Sequence, residues 1–350
     1  MIKESKDHNS SDNQKRIIYI FPGQGCQYKG MGSDIIKEFK AAKDVYDKAS
    51  EALGYDMIEL CINDPENKLD KTEFTQPALL THEIACMESL LSQVNNKEAL
   101  IPHLALGHSL GEYAALVATN TISFEDAIRL VKERAEIMSK YATGSMVATN
   151  LSIDQAKHFA ASMFLSIAAH NAENQTVLAG DDKYVDQFIS SFSSNKRVRA
   201  VKLNTEGAFH SYIMASAAEE FRKQLKNTNF SIRQLNNSSL PSIIANHTAD
   251  LHPYLESYDE AIDSIRSTLY FQLFNPVLWY DSMKKAVDQE PILFIEFGGG
   301  IGKESGPENK RANLISMNKK TIVSQKREIE YFSSINNETI FSTAEKLNNI

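Results

Sequence analysis

The chain has 350 residues, 42% of them hydrophobic, enough to bury a sizeable core in one large domain or two smaller ones. A formal net charge of −8, with the basic residues scattered, argues against a phosphate-neutralising surface and so against a nucleic-acid partner. Cys26, Cys61 and Cys86 are odd in number and lack C-x-x-C spacing, so neither a disulfide framework nor a metal site is expected.

No run approaches the ~20 apolar residues of a membrane span, and residues 1–16 are polar, without the pattern of a signal peptide. These features predict a cytoplasmic monomer, with no membrane contact, behind a disordered lead-in at 1–16. The fold is expected to begin at Ile17, where Ile17-Ile18-Tyr19-Ile20-Phe21 reads as a buried strand stopped by the loop Pro22-Gly23-Gln24-Gly25. Helical patterns follow to about residue 97. Ile101 to Leu106 reads as a second short buried strand, Glu112 to Thr119 as a helix, and Phe124 to Tyr141 as another.

Between Gly144 and Asn204 the rhythm shortens. Strand (145–150), helix (153–164), strand (166–170), strand (176–179), helix (182–192) and strand (197–203) give the order βαββαβ of ferredoxin-like folds. The expected architecture is α/β: a large α/β-hydrolase-like domain over 17–143 and 210–305, interrupted by a ferredoxin-like insert over 144–209. The Asn-rich region 306–350 has weak periodicity and yields no assignment.

Gly107-His108-Ser109-Leu110-Gly111-Glu112 places a serine between two glycines at a strand-to-helix junction, the pattern of a nucleophile elbow. Such a turn exposes the serine oxygen and aims helix N-terminal N–H groups at a developing oxyanion. A serine needs a base. His82 and His158 fall in helical patterns, His103 and His170 at strands, and His252 in a loop. His210, in Gly207-Ala208-Phe209-His210-Ser211, stands where the chain returns to the large domain, as a base or as a satisfied core histidine.

Helical spacing over Phe124 to Tyr141 puts Ile137, Leu130, Ala127, Met138, Val131 and Ala135 on one apolar arc, with Arg134 near its middle, at about 240° from Ile128. A buried guanidinium requires a partner. Two readings stand: an internal salt bridge to a protein carboxylate, or a bidentate grip on a carboxylate-bearing substrate.

Several segments, in order, resemble the malonyl-CoA:acyl-carrier-protein acyltransferase family, and within it the free-standing enzymes that serve modular polyketide synthases in trans. Phe21-Pro22-Gly23-Gln24-Gly25-Cys26-Gln27 with Gly30-Met31-Gly32 is similar to the family's opening F-P-G-Q-G-x-Q…G-M-G. Thr72-Glu73-Phe74-Thr75-Gln76-Pro77-Ala78-Leu79 resembles T-x-x-x-Q-P-A-L, residues 107–112 resemble G-H-S-L-G-E, and residues 207–210 resemble G-A-F-H. Gln272-Leu273-Phe274-Asn275-Pro276-Val277-Leu278-Trp279 is similar to Q-L-x-x-P-V-x-W.

The resemblance implies Ser109 as acyl nucleophile and His210 as base in a dyad, with His210 oriented by the backbone carbonyl at Gln272. It implies an oxyanion hole from the N–H groups of Gln24 and Leu110, Arg134 as the grip on the malonyl carboxylate, and Gln76, Asn171 and Phe209 in the substrate pocket. Leu110 and Phe209 match the malonyl-selecting pattern. Gly298-Gly299-Gly300 and Ala245-Asn246-His247-Thr248 depart from the family's G-P-G and S-N-V-T.

The implied reaction is ping-pong transfer of malonyl from malonyl-CoA, the acyl donor, to the phosphopantetheine thiol of an acyl carrier protein, for polyketide or fatty-acid synthesis, with no bound cofactor. The competing readings are an acyl hydrolase using the same dyad, which has no need of Arg134, and a non-catalytic carrier-docking protein, which has no need of the dyad.

Overall fold

The computed structural model describes residues 16–193, 197–231, 242–252 and 257–349. Among these, the strands in chain order are β1 (Ile17–Phe21), β2 (Leu104–Gly107), β3 (Ser145–Thr149), β4 (Ser166–Ala172), β5 (Gln175–Gly180), β6 (Ala200–Lys202), β7 (Ser242–Ile243), β8 (Leu293–Phe297) and β9 (Glu330–Ser334). They form a parallel sheet in the order β7-β2-β1-β8-β9 and an antiparallel sheet in the order β4-β5-β3-β6, giving an α/β protein.

β1 and β8 are continuous apolar runs apart from Glu296, and every residue of both is buried. That is the signature of parallel strands covered by helices on both faces. Ile18 pairs with Leu104 on one side and Phe294 on the other, so β1 is the central strand. The long helix Thr72–Gln93 is buried around nearly its whole circumference, as a helix at the centre of the packing must be.

The antiparallel sheet follows the βαββαβ order: β3, helix Ile153–Ser162, β4, β5, helix Asp182–Ser191, β6. It has its own small core, including Val147, Leu178, Val185 and Phe188. It is also stitched to the rest of the protein, since the His170 N–H donates to the Val277 carbonyl at 2.9 Å and the Val277 N–H to the Ala168 carbonyl at 2.9 Å. Those bonds lay β4 beside the segment that follows Gln272 and so fix the walls of the cleft between the two sheets.

Two strands begin three residues later than the sequence predicts. The elbow strand begins at Leu104 rather than at 101: a 3₁₀ turn spans Glu98–Leu100, Ile101 is exposed, and Pro102 has no N–H for a ladder. The last strand of the small sheet is the three residues of β6, not 197–203.

The region 306–350 contributes helix Ile315–Ser324, β9 and helix Asn337–Asn348. β9 pairs in parallel register with β8 from Leu293↔Glu330 to Phe297↔Ser334, so it is an edge strand of the main sheet. Its asparagines are structural. Asn336 caps the last helix in a capping box with Thr339. Buried Asn318 accepts from the Trp279 Nε1–H at 2.9 Å and donates to the Tyr331 hydroxyl at 2.9 Å, which in turn donates to Glu296 at 2.7 Å.

Asn318→Ala leaves the Trp279 N–H buried without an acceptor and Tyr331 without a donor. The expected loss is about 2–3 kcal/mol of unfolding free energy. Urea denaturation followed through Trp279, the chain's single tryptophan, measures it. An unchanged midpoint would mean that the C-terminal elements are not part of the cooperative core.

Candidate active site

The carboxyl ends of β1 and β2 open onto the cleft, where ligands of parallel α/β sheets bind. Between β2 and helix Gly111–Ala118 the chain turns with no room for a side chain at Gly107 or Gly111. A Cβ on Gly107 would lie 1.9 Å from the Gly111 carbonyl carbon, and one on Gly111 would lie 2.4 Å from the Phe21 carbonyl oxygen. Ser109, at the apex, has φ +52° and so sits in the left-handed region, a strained conformation for a residue with a side chain.

Asn246 clamps this turn. Its Oδ1 accepts from the Ser109 N–H at 2.6 Å while its Nδ2 donates to the Gly107 carbonyl at 2.7 Å. Buried Glu112 completes the support by accepting from the Asn246 N–H at 3.2 Å.

Ser109 Oγ lies 2.8 Å from Nε2 of His210, itself at φ +58°. The His210 Nδ1–H donates to the backbone carbonyl of Gln272 at 2.8 Å, which leaves Nε2 unprotonated and ready to accept the serine proton. Burial, reinforced by the positive charge of Arg134, pushes His210 down to about 3, so the imidazole is a neutral base across the physiological range.

Arg134 is 1% exposed, on the buried face of helix Phe124–Lys140. Its Nη1 donates to Gln76 Oε1 at 2.6 Å, and its Nη2 to Gln272 Oε1 at 3.0 Å and to Ser109 Oγ at 3.3 Å. The guanidinium also lies 5.4 Å from the Tyr113 ring centroid. Its Nε–H has no partner among the described residues. All three acceptors are neutral. The internal salt bridge that burial alone would suggest is therefore not formed among the described residues, and the guanidinium faces the serine with hydrogen-bonding capacity to spare.

The cleft holds about 760 Å³ and is lined by Gln24, Gln76, Ser109, Leu110, Arg134, Asn171, Phe209 and His210, so the structure gathers these sequence-derived site residues into one place. Gln272 is fully buried behind the dyad. The backbone N–H groups of Gln24 and Leu110 donate to no described residue. Asn171 does more than line the wall, since its Oδ1 accepts from His108 Nε2 at 2.8 Å.

Three roles were not legible in the sequence. In the sequence Asn246 stands only as part of a departing motif, and His108 and Glu112 only as letters of the elbow. The Gln272 side chain is a fourth hub: its Nε2 donates to the Ser109 carbonyl at 2.9 Å and to Glu112 Oε2 at 2.7 Å. Among the described residues no His, Cys, Asp and Glu cluster is arranged to hold a metal, and no helix is long and apolar enough to cross a membrane.

The family profile described as acyl transferase domain matches residues 18–297. The chain is 36% identical over 289 residues to the polyketide biosynthesis malonyl CoA-acyl carrier protein transacylase BaeC of Bacillus velezensis, covering 81% of this chain and 93% of that protein. Among solved structures, the malonyl CoA-acyl carrier protein transacylase of Clostridium perfringens superposes with a TM-score of 0.77 at 31% identity, covering 95% of this chain and 98% of that one. A malonyl-transacylase solved in complex with its type II polyketide-synthase acyl-carrier protein gives a TM-score of 0.79 at 28% identity, covering 95% and 99%.

The depressed basicity of His210 has a direct readout. Nitrogen-detected NMR of the histidine-labelled protein should find this ring neutral with its proton on Nδ1 at pH 5, because the folded state titrates near 3 rather than at the ordinary 6.5. A ring that titrates close to 6.5 contradicts the buried, Arg134-facing environment.

Proposed function

The chain belongs to the acyl transferase domain family, and on that premise we propose that it moves a malonyl group from malonyl-CoA to the phosphopantetheine thiol of an acyl carrier protein. In this reading the Ser109 hydroxyl gives its proton to His210 Nε2 as its oxygen attacks the thioester carbonyl. The tetrahedral oxyanion accepts from the Gln24 N–H in the loop after β1 and from the Leu110 N–H at the start of the elbow helix. Collapse expels the CoA sulfur, which takes the proton back from His210 and leaves malonyl-Ser109. The carrier thiol then repeats the sequence in reverse, giving its proton to Nε2 and regenerating free serine. Each half-reaction is balanced by the one proton on His210, with no bound cofactor.

The observation that carries the reading is Arg134: a guanidinium 1% exposed, unpaired with any described carboxylate, and 3.3 Å from the nucleophile oxygen. A carboxylate on the acyl group supplies the missing partner bidentately. An enzyme for neutral acyl chains would carry the cost of that buried charge for nothing. Phe209 and Asn171 shape the rest of the pocket, and Gln76 holds the guanidinium from the far side. The likeness to a polyketide-biosynthesis transacylase supports a polyketide carrier as acceptor. The donor is a water-soluble thioester and the acceptor a thiol on a carrier protein, which fits action in the cytoplasm; we take the enzyme to act as a monomer. We assign residues 17–143 and 210 onward to the catalytic domain and 144–209 to a small domain that closes the cleft.

Ser109→Ala removes the acyl acceptor, so mass spectrometry after malonyl-CoA treatment should find no malonyl adduct; an adduct on the variant would reassign the nucleophile. Arg134→Ala should cost about 2–4 kcal/mol of malonyl-specific transition-state binding while sparing acetyl-CoA. The malonyl-to-acetyl ratio in kcat/KM then falls by roughly 30-fold to 1000-fold. Equal loss of both substrates would make Arg134 structural, and a wild type that prefers neutral acyl groups and releases them to water would favour the hydrolase.

A further inference from the structure

Among the described residues Arg134 has no carboxylate at contact distance, yet a buried carboxylate stands one amide away. Glu112, the second residue of the elbow helix, is fully buried, and its Oε2 accepts from Gln272 Nε2 at 2.7 Å. The other end of the same amide, Gln272 Oε1, accepts from Arg134 Nη2 at 3.0 Å. Guanidinium, amide and carboxylate therefore form a continuous line, with the amide dipole aligned between the two charges. The negative charge of Glu112 favours the cation on Arg134, opposing the burial that disfavours it. Among the described residues the other Glu112 oxygen accepts no hydrogen bond, and His252 Nε2 lies 3.8 Å from it.

We propose that Glu112 is the remote counter-ion of Arg134 and, through Gln272, a positioning residue that sets how strongly the site prefers a carboxylate-bearing acyl group. A direct ion pair would occupy the donors that a substrate must use; no counter-ion at all would leave a buried charge uncompensated. Interposing the Gln272 amide balances the charge at one remove and keeps the guanidinium open toward Ser109. The strength of that balance tunes the preference, because whatever compensation Glu112 supplies is compensation that the substrate carboxylate need not supply. The inference rests on the malonyl-transfer reading above and adds a residue to it.

The test is the malonyl-to-acetyl ratio in kcat/KM for Glu112→Gln, which keeps the shape and an acceptor for Gln272 but removes the charge. Any disturbance of the elbow lowers both rates together, but the ratio is expected to rise, on the order of 10-fold, since the substrate carboxylate becomes the sole counter-charge. In Glu112→Gln/Arg134→Ala the ratio should equal that of Arg134→Ala alone, because nothing remains to be balanced. Glu112→Asp keeps the charge but draws it back by one methylene, so it should move the ratio the same way by a smaller factor, and it carries the test if Glu112→Gln does not fold. His252→Asn should leave the ratio unchanged.

A ratio unmoved or lowered in both Glu112 variants overturns the inference and leaves Glu112 a structural support of the elbow. A ratio shifted by His252→Asn overturns it too, by assigning the balance to that histidine. Failure here is distinguishable from failure of the function: if wild type takes no malonyl group the function falls, whereas if Arg134→Ala collapses the ratio and Glu112 variants do not touch it, the counter-ion alone falls.

Discussion

The site is organised around a buried positive charge that the described part of the protein does not neutralise by contact. Taking a guanidinium out of water costs several kcal/mol unless it is paired, so a fold that buries Arg134 among Gln76, Gln272 and Ser109 has spent stability on an open valence. That charge adds to the burial that depresses His210 and keeps it a neutral base, and it selects the acyl group in the proposed reaction. One charge thus acts on both reactivity and specificity.

The rest of the architecture can be understood as holding that arrangement still. Parallel strands bring the Ser109 turn and the Gln24 loop together at the carboxyl end of the sheet. The positive φ angles of Ser109 and His210 are costly conformations, and each is over-determined by its surroundings: Asn246 grips the serine turn from two sides, and the Gln272 carbonyl holds the imidazole. The glycines of the elbow are required by close backbone approach, 1.9 Å for a Cβ on Gly107 against Gly111 and 2.4 Å for one on Gly111 against Phe21. The small sheet, tied in through Ala168, His170 and Val277, supplies the opposite wall with Asn171.

Much of this was legible in the residues alone. The apolar run of β1, the glycines flanking Ser109 and the misplaced Arg134 on an otherwise apolar helix face are local patterns, and local patterns survive in sequence. What was not legible depends on partners distant in the chain. Asn246 acts on a serine 137 residues away, and the side chain of Gln272 on Glu112 160 residues away, so no spacing rule could announce either. The C-terminal elements were hidden for a different reason: β9 is a short edge strand, and its packing is carried in part by Asn318 and Asn336, residues whose composition suggests loops but whose amides here bridge buried groups. Hydrophobicity starts the elbow strand three residues early because it cannot register the missing N–H of Pro102.

A crystal structure of the malonyl-loaded protein measures the central claim most directly. The account predicts a malonyl ester on Ser109 whose free carboxylate accepts two hydrogen bonds from Arg134 at about 2.7–2.9 Å, with Gln272 still bridging Arg134 and Glu112. A carboxylate turned toward solvent or held by other groups, with Arg134 keeping only its contacts to Gln76 and Gln272, would contradict it.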